Sequence, residues 1–240
     1  MDKFMKYAVW GFFKRAKSED SSGIVGDINE LLKQVKVELK NGFKLMRSHP
    51  KSVSIFGSAR FKEGEKYYEK SHQLATKIAK ETGYSIVTGG GPGIMEAASC
   101  GAAQGGGRSV GLTIKLPREQ YTNPCVSEQA DFDYFFTRKT ILTFSAEAYV
   151  FFPGGFGTLD EFFDIITLIQ TKKIPSVPIV LFGVDYWMEI HEFIKKHMFQ
   201  DYHTINEEDM DLYTITDDMD KVVEIIKKAP VRNWWKHYER

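Results

Sequence analysis

Apolar positions along the chain follow two rhythms, and the rhythm changes at glycines and prolines. Ile28, Leu31, Leu32, Val35 and Leu39 recur at helical spacing, and Pro50 ends the element they define. The preceding residues 18–27, SEDSSGIVGD, are rich in Ser, Gly and Asp and read as a linker. Residues 1–48 are therefore expected to form a helical extension ahead of a main domain over residues 49–240. From Ser52 onward, short apolar runs alternate with amphipathic segments. The runs at 52–57, 84–91, 109–114, 133–136, 147–155, 177–183 and about 212–215 predict strands. The segments at 67–83, 92–105, 138–145, 158–173, 185–199 and 217–228 predict helices, with Gly83 as a stop and Pro92 suited to a first turn. Strand–helix alternation of this kind implies an α/β, Rossmann-like parallel sheet with helices on both faces.

Composition narrows the classes of function. Lys plus Arg and Asp plus Glu both number 32, a formal net charge of zero, which argues against nucleic acid as the main partner. No apolar run reaches the length of a spanning helix, so no stable membrane insertion is expected. The N-terminal stretch MDKFMKYAVWGFFKRAK interleaves aromatics with lysines, but its apolar part, residues 7–13, is short and lacks a following cleavage site. A docking arm or frayed end is the plainer reading of that stretch than a membrane-surface helix. Cys100 and Cys125 show no paired metal-type spacing, which favours a reducing, cytoplasmic setting with no disulfide and no metal.

Two glycine clusters, TGGGPGIMEA at 88–97 and FPGGFGTLDE at 152–161, each close a predicted strand and open a helix. A helix start offers unpaired N–H groups and partial positive charge, and glycine lets a ligand approach the main chain, so both corners suit a phosphate. Gly154, Gly155, Gly157 and Thr158 are expected to form a phosphate cradle. Neither cluster continues into the Lys-Ser/Thr of a Walker loop. The dinucleotide fingerprint fails as well, since its third glycine falls on Ile94 in one cluster and Asp160 in the other. A mononucleotide or sugar phosphate fits better than NAD or a nucleoside triphosphate.

Two readings of Glu161 remain open. Thr158-Leu-Asp-Glu161 matches a capping box, in which both side chains satisfy the helix start. If Thr158 turns to a phosphate instead, Glu161 is free to face the ligand. The helix at 158–173 is apolar almost all round, which predicts a homodimer contact on the side away from the sheet. Arg138 and Lys139, adjacent cations after a predicted strand, suit a phosphate or a carboxylate.

These residues resemble a known family. PGGFGTLDE fits the PGGxGTxxE signature of the LOG ("Lonely Guy") proteins, GGGPGIMEAA resembles their upstream glycine loop, TRK their Arg-Lys pair and SIFGSAR their first strand and turn. The likeness spans about residues 50–229. It implies a homodimeric, cofactor-free phosphoribohydrolase that cleaves the N-glycosidic bond of an adenine or N6-modified adenine nucleoside 5′-monophosphate. By position it implies Arg138 and Glu161 as the catalytic pair, with Ser58, Gly90, Gly91, Glu96, Lys139, Gly154, Gly155, Gly157 and Thr158 binding substrate. Phe135 stands where the plant-type pattern has methionine, and Glu96 where it has a small residue, which points to a different fit around the base. The family's frequent lysine decarboxylase label finds only Lys139 as support. The competing expectations are a molybdenum-cofactor or nucleotide carrier of the same fold, and a nucleotide sensor acting through residues 1–48.

Overall fold

The computed structural model describes residues 21–115 and 121–231. The elements run α1 (Ser21–Arg47), β1 (Ser52–Phe56), α2 (Lys66–Thr82), β2 (Ser85–Thr88), α3 (Ile94–Gln104), β3 (Ser109–Ile114) and β4 (Glu128–Phe132). They continue with α4 (Phe135–Phe144), β5 (Ala148–Phe151), α5 (Phe156–Gln170), β6 (Ile179–Phe182), α6 (Val184–Phe193), β7 (Thr214–Thr216) and α7 (Met219–Lys228). The strands form one sheet in the order β4-β3-β2-β1-β5-β6-β7, and every neighbouring pair is parallel. This is the Rossmann-like α/β architecture expected from the alternation, with a helix ahead of the first strand. Among the described residues no helix is long and apolar enough to cross a membrane.

Side-chain alternation along the strands builds two cores, one on each face of the sheet. Tyr149 and Phe151 of β5 join a cluster with Leu142 of α4, Phe162 of α5 and Trp187 of α6. Ala148 and Val150 of the same strand join the opposite cluster with Leu74 of α2, Ala98 of α3 and Val222 of α7. A fully buried ring such as Phe162 contributes roughly 2 kcal/mol by leaving water, and it packs against Phe151, Trp187 and Tyr213. One consequence decides the site: α4 and α5 cover the same face, whereas α3 covers the other.

Three expectations are corrected. Part of the expected linker, residues 21–27, is helical and continues into α1; Ser and Gly content is a weak prior against a long helix anchored by packing farther along. Residues 1–20, with the proposed arm, lie outside the described residues. The fourth strand is Glu128–Phe132 rather than 133–136, and Phe135 and Phe136 open α4 instead. As an edge strand with a half-exposed face, EQADF shows little apolar signal, while the aromatic run beyond it mimics a strand. Cys100 and Cys125 form a disulfide across 25 residues of sequence, because the segment leading into β4 returns alongside α3. The bond removes the support that the two cysteines lent to a reducing compartment.

Candidate active site

The chain leaves β1 and β5 toward opposite edges of the sheet, so a crevice opens beyond their carboxyl ends. The two strand-end loops are stitched together: the Ser58 N–H donates to the Pro153 carbonyl at 3.1 Å. A cavity of about 880 Å³ occupies the crevice. Gly57, Ser58 and Arg60 line it from the β1 loop, Gly89 from the β2 loop and Met95 from α3; Phe135, Arg138 and Leu142 come from α4, residues 153–161 from the β5 loop and α5, and Tyr186 from α6.

The glycines after β5 open α5 as the sequence suggests, with one difference in register. The helix begins at Phe156, with Gly155 as N-cap and no side-chain cap. Thr158 and Leu159 donate their N–H groups to the Gly155 carbonyl, at 3.0 and 3.1 Å. Among the described residues, the N–H groups of Phe156 and Gly157 have no main-chain acceptor. A Cβ placed on Gly155 or Gly157 would meet no protein atom within 4 Å, so nothing in the protein itself requires glycine there. Gly154 differs, because a Cβ there would strike the Thr158 side chain. Tyr186 fixes this corner by donating its hydroxyl to the Gly154 carbonyl at 2.7 Å.

The early helix start settles the position of Glu161. Thr158 is the third residue of α5 rather than its cap, so the capping box does not form. Glu161 lies one turn further along the same helix, lines the cavity and is 9% exposed. Among the described residues its buried Oε2 has no hydrogen-bond partner. Burial pushes its carboxyl up to about 7, with Asp160 and Asp164 adding to the rise and Lys139 and Arg138 opposing it. Such a group exchanges protons near neutrality, as general acid–base work requires.

Arg138 reaches the cavity from α4. Its Nε donates to the Leu112 carbonyl at 2.6 Å, and its guanidinium occupies the space above Gly89, where a Cβ would lie 2.3 Å from Nη2. Burial lowers its pKa, and the Glu161 charge opposes that shift. Lys139 takes another course, pairing with Asp160 of α5 at 2.7 Å. Burial works to depress the Lys139 ammonium, and the Asp160 hydrogen bond with the nearby acids outweighs it, leaving its pKa raised.

The structure thus gathers Ser58, Arg138, Gly154, Gly155, Gly157, Thr158 and Glu161 around one cavity. Gly90, Gly91, Glu96 and Lys139 do not line it. Gly90 and Gly91 are engaged by Asn123, whose N–H and Nδ2 donate to their carbonyls at 2.9 and 3.0 Å. Glu96 lies on α3, across the sheet from α4 and α5, and accepts from the Tyr121 hydroxyl at 3.2 Å. Arg60, Gly89, Met95 and Tyr186 were not singled out from the sequence. Arg60 follows the predicted strand 52–57 and Gly89 belongs to the glycine run that closes the predicted strand 84–91, which is the available signal; nothing local marks Tyr186. Among the described residues no three His, Cys, Asp or Glu side chains gather as a metal cluster.

The family model described as "Possible lysine decarboxylase" matches residues 95–226, more than half of the chain. The chain belongs to this family, the LOG family. The cytokinin riboside 5'-monophosphate phosphoribohydrolase LOG7 of Arabidopsis thaliana is 29% identical over 153 residues, covering 62% of this chain and 70% of that protein. LOG3 of the same plant, with the same enzyme name, is 29% identical over 164 residues, covering 67% and 74%. Among solved structures, the molybdenum cofactor carrier protein of Chlamydomonas reinhardtii superposes with a TM-score of 0.55 at 22% identity, covering 75% of this chain and 97% of that one. At that identity the likeness to the carrier is one of fold. The stretch PGGFGTLDE lies on the β5 loop and the first turns of α5, beside the cavity.

Proposed function

We propose that this LOG-family chain hydrolyses the N-glycosidic bond of an adenine or N6-modified adenine nucleoside 5′-monophosphate, releasing free base and ribose 5-phosphate. The observation that carries the reading is Glu161: a buried carboxyl without a hydrogen-bond partner at Oε2, one turn below an uncapped helix start, in the same cavity as Arg138. The 5′-phosphate sits against the Phe156 and Gly157 N–H groups and the Thr158 hydroxyl. Arg60, for which no ion pair is found among the described residues, supplies a counter-charge from the β1 loop. Three residues of helix, at about 1.5 Å each, carry Glu161 about 4.5 Å deeper, toward the sugar.

In the reaction, water adds to the anomeric carbon as the bond to the base nitrogen breaks, and the bonding pair leaves with the base, which takes up a proton from solvent in exchange for the one lost by the attacking water. The sugar passes through an oxocarbenium-like state of the kind known from O-glycoside hydrolysis. Ionised Glu161 stabilises that positive charge and accepts the proton of the attacking water. Arg138 stays charged and serves to orient the substrate and Glu161, not to donate a proton. The decarboxylase description of the family draws no support from this cavity, whose described lining includes no lysine.

A homodimer through α5 belongs to the same reading. The outward side of that helix carries Phe163, 37% exposed, and the half-buried Leu159 and Ile166, while Phe156 at its start is 93% exposed. Sedimentation of the intact chain tests it.

The deciding assay incubates the protein with adenosine monophosphate and its N6-isopentenyl form and measures free base and ribose 5-phosphate. Release of both products in equal amounts supports the hydrolase. Tight nucleotide binding with neither product released would move the assignment to a carrier.

A further inference from the structure

The helix that carries Arg138 starts without protection of its own. The N-cap of α4, Tyr134, offers no side-chain cap, and the first turn holds no acidic residue. Arg138 and Lys139 follow immediately, and two cations near a helix N-terminus oppose the helix dipole. A helix start of this kind needs a negative charge and acceptors from elsewhere.

The negative charge comes from α1, ahead of the first strand and outside the segment matched by the family model. Glu38 is 3% exposed. Its Oε1 accepts the Asp133 N–H at 3.1 Å and the Gln34 side-chain amide at 3.0 Å, and its Oε2 accepts the Thr137 hydroxyl. Gln34 also donates to the Asp133 carboxylate at 3.0 Å, closing the arrangement on α1. One turn beyond Arg138 the two helices meet closely: a Cβ on Gly42 would lie 2.5 Å from the Ile141 side chain. The next residue, Leu142, lines the cavity.

We infer that Glu38 is a positioning residue for Arg138: the N-terminal helix anchors the α4 start from outside, through the Asp133 N–H and the Thr137 hydroxyl, and thereby sets how far the guanidinium reaches into the cavity. Glu38 does not line the cavity, so its effect passes through α4. The consequence for turnover rests on the hydrolase reading; the anchoring of α4 does not. A buried carboxylate bonded to a main-chain N–H and a hydroxyl is a charge-assisted, geometrically defined contact, stronger than a neutral one. It holds the Asp133 backbone and the Thr137 side chain just ahead of Arg138, whose Nε is tied to the Leu112 carbonyl. On this account the extension is part of the support of the site, and the sequence pattern gives no hint of it because the partners are 95 and 99 residues apart.

The test uses the full chain with Glu38→Ala, Glu38→Gln and Thr137→Val. Amide hydrogen exchange is read by residue over 133–138, and kcat and KM are measured with adenosine monophosphate. Glu38→Ala should speed exchange at 133–138 at least tenfold, and lower kcat about tenfold with KM changed less than threefold. Glu38→Gln, which keeps an acceptor for the Asp133 N–H but loses the charge, should fall between Ala and the unaltered protein. Thr137→Val should repeat the smaller effect, and the Gln and Val variants stand in if Glu38→Ala does not fold. Unchanged exchange at 133–138, or faster exchange with unchanged kcat, would overturn the inference. If the unaltered protein hydrolyses no nucleotide, the functional reading fails on its own, and exchange still decides whether Glu38 anchors α4.

Discussion

Glu161 and Arg138 line one cavity from two helices, α5 and α4, and no ion pair joins them among the described residues. Arg138 spends its Nε on the Leu112 carbonyl, while Glu161 Oε2 has no hydrogen-bond partner among the described residues. Two opposite charges held on one surface but kept apart leave both groups available to a ligand between them. Removing either should therefore leave the fold intact and damage turnover. Glu161→Gln should lower kcat by about 10²- to 10⁴-fold, the range expected for a lost acid–base group. Arg138→Ala should lower kcat and raise KM together, and steady-state kinetics separates the two patterns.

The pH profile follows from the same carboxyl. Burial pushes Glu161 up to about 7 in the empty site, and the proposed chemistry uses its ionised form. Hence kcat/KM, which reports the free protein, should rise with pH through about 7. The limb should disappear from the residual activity of Glu161→Gln. A flat profile between pH 6 and 8 would assign proton transfer elsewhere.

Stability should move in the opposite direction. The fold raises the Glu161 pKa from 4.5 to about 7, so it favours the protonated acid. That contribution is fully present below about 4.5 and is lost as pH rises through about 7. The rise corresponds to about 3 kcal/mol at most. Thermal melts of Glu161→Gln against the unaltered protein should show the variant gaining stability at pH 8, with the gain shrinking toward pH 5. An equal difference at both pH values contradicts the burial argument.

Gly157 provides a separate probe of the cradle. A Cβ there meets no protein atom within 4 Å, and the residue lies in the first turn of α5. Gly157→Ala should leave the fold as stable or up to about 1 kcal/mol more stable, since alanine is the better helix former. Affinity for ribose 5-phosphate should nonetheless fall at least tenfold by calorimetry, because the added methyl enters the space proposed for phosphate. Unchanged affinity would place the anion elsewhere.

The disulfide carries a prediction of its own. Closing a loop of 25 residues contributes about 3 kcal/mol by restricting the unfolded chain. Reductant, or Cys100→Ser, should lower the midpoint of urea unfolding accordingly. No change on reduction would show that the bond does not form in solution.

What was legible in the sequence was what depends on local pattern. Alternating runs point to a parallel α/β sheet, and the glycines after β5 mark the strand-to-helix corner where α5 opens. Features that depend on distant contacts were not legible. The Thr158–Glu161 spacing fits a capping box as well as it fits an exposed acid, and only the start of α5 at Phe156 separates them. Gly90 and Gly91 look like ligand glycines in sequence, yet Asn123, about thirty residues on, takes their carbonyls. Lys139 reads as Arg138's equal until Asp160 claims it. Glu96 accepts from Tyr121 while its neighbour Met95 lines the cavity, a division within the first turn of α3 that no local spacing encodes.

The most direct measurement compares the unaltered protein with Glu161→Gln at equal folded concentration, reading adenosine monophosphate affinity and ribose 5-phosphate release from the same samples. The account predicts similar affinity in the two proteins, and product release in the unaltered protein that falls at least a hundredfold in the variant. Equal release from both would contradict it.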